Sequence, residues 1–92
     1  MLGRWYIECK RYGSGAEPLD AWWKQVQEAT RDEGIPALVY KFDRRPIKVR
    51  VPLGAINPEL NLNSPYTADL LWEDFIFLLK NLYKKDIEEH NY

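Results

Sequence analysis

Between residues 4 and 51 the apolar positions change period twice, and few folds accommodate that change in so short a stretch. Arg4-Trp5-Tyr6-Ile7-Glu8-Cys9-Lys10-Arg11 alternates at period two, with Trp5, Ile7 and Cys9 on one face and Arg4, Tyr6, Glu8 and Lys10 on the other. Leu19, Trp22, Trp23, Val26 and Thr30 then recur at helical spacing. Pro18 suits a first turn, Glu17 and Asp20 complement the helix dipole there, and Gly34 with Pro36 ends the pattern. Ala37 to Phe42 is rich in β-formers, and Ile47-Lys48-Val49-Arg50-Val51 alternates strictly. The turn Asp43-Arg44-Arg45-Pro46 joins these two into a hairpin, with Ile47, Val49 and Val51 inward and Lys48 and Arg50 outward. The pattern predicts a strand over 3–11, a helix over 18–33 and strands over 37–42 and 47–51. A strand-helix-strand unit favours parallel neighbours, and the first strand is expected inside the sheet. Adjacent Trp22 and Trp23 cannot share one narrow stripe, so one of them is expected at the helix edge.

The remainder reads as a loop and a helix. Residues 52–66 hold Pro52, Gly54, Pro58, Pro65 and three asparagines, which predicts a connection with little regular structure, long enough to cross the molecule. Ser64 or Thr67 can cap a helix over 68–88 with a stripe of Trp72, Phe75, Ile76, Leu79, Leu82 and Tyr83. Leu71, Phe77 and Leu78 add apolar surface on its other sides, which argues for a second chain against it. The expected fold is α/β: a small mixed sheet with a strand-helix-strand unit, a β-hairpin and a C-terminal helix. Ninety-two residues make one domain with one core.

The chemistry available is narrow. One cysteine and one histidine, His90, leave almost nothing for a zinc site or for Ser-His or Cys-His catalysis. The single cysteine and the short apolar runs, of which Phe75 to Leu79 is the longest, fit a reducing cytoplasmic setting without a membrane span. Tyr12-Gly13-Ser14-Gly15-Ala16 lacks the spacing of a phosphate-binding loop and reads as a connector. What remains is carboxylate, lysine and a hard metal. Glu8 and Lys10 lie two residues apart on one strand face, roughly 7 Å along it, so they can reach the same small volume. A carboxylate can hold a hard divalent cation, and the ammonium beside it can steer a water or a phosphate oxygen. Opposite charges alternating along a strand are also the ordinary pattern of a solvated face.

The net charge of −1 hides an asymmetry: residues 1–51 hold ten Lys or Arg against seven Asp or Glu, residues 52–92 three against seven. The basic half is suited to a polyanion. Its cations concentrate on the predicted hairpin, in Lys41, Arg44, Arg45, Lys48 and Arg50, with Arg11 at the end of the first strand. They can contact phosphates or protect an exposed sheet edge.

A strand with Ile7-Glu8-Cys9-Lys10, a helix with Gln25, then Pro36-Ala37-Leu38-Val39-Tyr40-Lys41 and a cationic turn resembles the C-terminal half of a PD-(D/E)XK nuclease. The likeness is to the phage and archaeal branch similar to Holliday-junction resolvases, and residues 4–51 carry it. It implies a restriction-endonuclease-like half fold in a single domain, 1–92, that lacks the usual N-terminal helix and strands. By the same likeness Glu8 is the metal-binding acid, the backbone carbonyl of Cys9 a further ligand, Lys10 the residue that orients or activates the attacking water, and Gln25 a helix residue that lies near the active site in some members. The implied activity is Mg²⁺- or Mn²⁺-dependent hydrolysis of DNA phosphodiesters, on branched DNA in that branch. The chain departs from the family in having no acidic residue on an earlier strand. Mg²⁺ is commonly held by one or two carboxylates plus waters and substrate phosphate. The missing acid then has to come in trans, from a homodimer or a partner chain. The alternative is a catalytically inactive DNA-binding or protein-interaction module descended from such a nuclease.

Overall fold

The computed structural model describes residues 4–12, 19–30 and 34–81. Strand β1 (Trp5–Tyr12) is followed by helix α1 (Leu19–Ala29), strands β2 (Ile35–Phe42), β3 (Lys48–Pro52) and β4 (Thr67–Leu71), and helix α2 (Trp72–Asn81). The sheet order is β1-β2-β3-β4. Strand β2 pairs parallel with β1 and antiparallel with β3, and β3 pairs antiparallel with β4, so the sheet is mixed. The strand-helix-strand unit, the hairpin and the final helix are all present, and the chain is a small α/β fold.

The strands bury opposite faces by alternation. Trp5, Ile35, Ala37, Val49 and Val51 pack with Phe75, Leu78 and Leu79 of α2, with Ile7, Val39, Ala68 and Leu70 alongside. On the other face Trp23 and Val26 of α1 pack with Leu38 and Tyr40, bordered by Tyr6, Leu19, Trp22 and Phe42. Trp22 is the half-buried tryptophan at the helix edge and stacks on Phe42 at 6.0 Å, while Trp23 is buried.

Five expectations need correction. Ile47 precedes β3 and is exposed, whereas Val49 and Val51 are buried. Strand β1 lies at an edge of the sheet, not inside it, because the hairpin places β3 on the far side of β2. Thr67–Leu71 is a strand and not the start of a helix. Ala68 and Leu70 turn onto the core face, and Asp69 stands opposite Arg50. Leu78 belongs to the core, leaving Phe77 and Leu71 as the exposed pair of the three. Residues 53–66 do not cross the molecule but return to the neighbouring strand. Leu53 N donates to Tyr66 O at 2.9 Å, and the side chains of Asn57 and Asn61 each accept from the backbone two residues on. Gly54 makes this fold-back possible, since a Cβ there would lie 2.7 Å from Asn61 O. The predicted helix over 82–88 and the starts of the first strand and first helix lie outside the described residues.

Pro36 sits within β2, which begins two residues earlier than its β-forming run. The bond from Ile35 N to Arg4 O, 2.7 Å, sets the alternation along β2. It turns the Pro36 nitrogen away from β1, at a level below the β2–β3 pairs, so the absent N–H breaks no ladder bond there.

Candidate functional site

Strand register assembles the polar side. Glu8, Leu38, Arg50 and Asp69 form one row across the four strands, and Lys10, Tyr40, Lys48 and Leu71 form the next. Alternation sets these rows on the α1 face, because Trp5 and Ile7 turn to the α2 side and Tyr6 to the α1 side. Glu8 and Lys10 are half-buried neighbours on that face, as their spacing predicts.

The bonded cluster lies at the opposite end of the row from Glu8. Arg50 Nε donates to Asp69 Oδ1 at 2.8 Å and Nη2 donates to Oδ2 at 3.2 Å, a two-pronged grip on one carboxylate. Its Nη1 donates to Asp20 Oδ1 of α1 at 3.3 Å, and the Tyr40 hydroxyl donates to Asp69 Oδ2. Burial, then the hydrogen bond to Asp69 and the charge of Asp69, push the Tyr40 phenol far above its ordinary value, with Arg50 pulling the other way. Burial alone would lower the Arg50 guanidinium, but the hydrogen bond and charge of Asp69, then Asp20, hold it above its usual range. This cluster ties α1 to β2, β3 and β4. Sequence reasoning misses it because Asp69 reads as an early helix residue. The period-two placement of Ala68 and Leu70 is the available signal.

Arg50 is therefore committed to Asp69 and Asp20, with only 16% of its side chain exposed. The other predicted cations gather elsewhere. Lys10 and Lys48 flank Tyr40 in one row, Arg11 pairs with Lys41 in the next, and exposed Arg44 and Arg45 lie in the β2–β3 turn. Among the described residues Asp43 is the acid in that turn, 3.6 Å from a well-exposed Arg11. Together they make a basic end of the sheet. Arg44 adopts φ 64, a left-handed conformation that a non-glycine residue visits at a cost.

The metal-binding donors do not converge. Adjacent strands lie about 4.8 Å apart, so three steps separate Glu8 from Asp69 by roughly 14 Å. Asp20 is turned to Arg50. Among the described residues no group of three His, Cys, Asp or Glu side chains could hold a metal ion. Glu8 and the Cys9 carbonyl supply two donors, so Mg²⁺ there would depend on water, substrate phosphate or an acid from elsewhere for its remaining ligands. Cys9 itself is exposed although it lies on the α2 side of the strand. Cys9, Arg11, Val39, Lys41 and Ile47 are among the residues that line a cleft of about 250 Å³ there. Gln25 is exposed on the outer flank of α1, and its side chain makes no hydrogen bond among the described residues.

Comparison with known proteins finds no family model, no curated protein and no solved structure that matches the chain. Among the described residues no helix is long and apolar enough to cross a membrane.

Proposed function

We propose that the chain is a DNA-binding module of nuclease ancestry, acting in a cytoplasm, whose basic end contacts the phosphate backbone. The observation that carries this reading is the clustering of Lys10, Arg11, Lys41, Arg44, Arg45 and Lys48 at one end of the sheet, where Asp43 is the opposing acid. Binding of this kind releases counterions and weakens as salt rises. The test is a salt titration of DNA affinity in the presence of chelator, for the wild type and for Arg44→Ala/Arg45→Ala/Lys48→Ala. For every phosphate that the variant no longer neutralises, the slope of log K against log salt is expected to flatten by about 0.9 on duplex DNA. Equal affinity and slope in the triple variant would assign these cations to solubility.

A second reading, the Mg²⁺-dependent endonuclease, draws support from Glu8 and Lys10. They are neighbouring half-buried charges on one face and carry no ion pair among the described residues. That reading needs a further acid from outside the Glu-x-Lys strand, supplied by a second copy or a partner chain. Assaying branched and linear DNA with Mn²⁺, alongside Glu8→Ala and Lys10→Ala, decides it. Cleavage abolished in both variants supports the enzyme, and a wild type as inert as the variants removes it.

A further inference from the structure

The outer edge of β1 is a long, regular strand edge. The strand itself contains no proline, its pairing with β2 runs unbroken from Trp5 to Tyr12, and among the described residues no strand pairs with its other side. The opposite edge, β4, is only five residues long and turns at once into α2. Edges of the first kind normally carry some device against pairing. The Ile35 N to Arg4 O bond fixes which groups are available: even-numbered residues of β1 turn their N–H and C=O to β2, and Ile7, Cys9 and Arg11 turn theirs outward.

We propose that β1 pairs antiparallel with β1 of a second copy, about a two-fold axis at Cys9, so that two four-stranded sheets become one. A two-fold axis normal to the sheet sets each side chain opposite one on the same face, so only registers centred on a residue are allowed. Centring on Glu8 sets that carboxylate opposite its own copy, and centring on Lys10 does the same for two ammonium groups. Centring on Cys9 sets Glu8 opposite the second copy's Lys10 and Lys10 opposite its Glu8. Both are close, non-hydrogen-bonded cross-strand pairs. In that register the outward backbone groups of Cys9 meet those of the other Cys9, and Ile7 meets Arg11. The Glu-x-Lys pattern is thus self-complementary, and charge selects a second copy in this register as the occupant. The proposal stands apart from the DNA-binding reading and is tested without DNA.

Sedimentation velocity over a concentration series is run on the wild type, Glu8→Lys, Lys10→Glu and the double swap Glu8→Lys/Lys10→Glu. The wild type is expected to dimerise. Each single variant should raise the dissociation constant about tenfold or more, because symmetry turns two attractive pairs repulsive, and the swap should restore it. A short bismaleimide linker reads the same register. Cys9 is the sole cysteine, so covalent dimer should form in the wild type and the swap and be absent in the single variants. Cys9→Pro removes an outward N–H without touching the β2 ladder, and should give a folded monomer by circular dichroism. A wild type monomeric at every concentration overturns the proposal and leaves the edge to a strand of another protein. Single variants that dimerise as well as wild type, or a swap that fails to restore them, overturn it equally.

Discussion

The two faces of the sheet are held to their helices by different forces. Under α2 the contact is apolar throughout: Phe75 sits edge-on to Trp5 at 5.3 Å, with Leu78 and Leu79 on Val49, Val51 and their neighbours. Under α1 a smaller apolar patch around Trp23, Val26 and Leu38 gives way to the Tyr40-Asp69-Arg50-Asp20 cluster and then to Lys10 and Lys48 of the basic end. The first face stabilises by removing area from water, which is indifferent to direction. The second depends on each partner being in place, since a half-buried charge without its partner keeps its desolvation cost. One face therefore acts as scaffold, while the other leaves polar groups available for binding.

Truncation on the apolar face should give the largest loss. Phe75 is 1% exposed and central to its cluster. Phe75→Ala is expected to cost about 3–5 kcal/mol, measured by urea unfolding. A cost under about 1 kcal/mol would mean that α2 contributes little to the scaffold.

The polar face should respond more weakly, and non-additively. Asp69→Leu leaves Arg50 with the exposed Asp20 alone and is expected to cost about 2 kcal/mol, below the full penalty for a buried pair because Asp69 retains 27% side-chain exposure. The double variant Arg50→Met/Asp69→Leu removes both charges and should recover much of that loss. Additive costs in this cycle would show that the pair acts independently and that the two faces differ less than their composition implies.

Tyr40 adds a pH signature that the apolar face cannot produce. Its phenol is raised above the ordinary 10.0 by burial and by Asp69. A group raised in the folded state contributes stability that is fully present below its unfolded value and is lost as pH rises above it. Stability is therefore expected to hold up to about pH 10 and then fall. In Tyr40→Phe the alkaline fall should be shallower, with about 1 kcal/mol lost at neutral pH for the missing hydrogen bond. Parallel pH profiles for the two proteins would remove Tyr40 from the cluster's energetics.

Which of these features are legible in the sequence follows from what periodicity encodes. Strand β1, helix α1 and the β2–β3 hairpin are readable because each carries its own period. Alternation also sets Glu8 and Lys10 on one face. Strand β4 is hard to read as such, because its five residues run straight into an apolar helix, and the period-two pair Ala68 and Leu70 is too short a signal to stand out from it. The Arg50–Asp69 pair goes unseen with it, since cross-strand partners depend on register and not on local pattern. Cys9 shows the same limit. Alternation gives its face, but its exposure depends on which elements pack over that face.

The smallest expected effect separates scaffold from basic end most cleanly. Arg44 holds φ 64 in the β2–β3 turn, closed by the bond from Arg45 N to Phe42 O at 3.1 Å. Glycine adopts this conformation without the Cβ penalty of roughly 1 kcal/mol, but its greater freedom in the unfolded chain offsets part of that gain. Arg44→Gly should therefore stabilise the fold by about 0.5 kcal/mol. The same change removes an exposed cation beside Arg45, so DNA affinity should fall and the salt slope should flatten by about 0.9. Opposite signs in one variant would mean that the chain holds an arginine in a glycine conformation for binding at the expense of stability. If stability rises while binding is unchanged, Arg44 contributes no phosphate contact, and the basic end narrows to Arg45, Lys48 and the cations of β1 and β2.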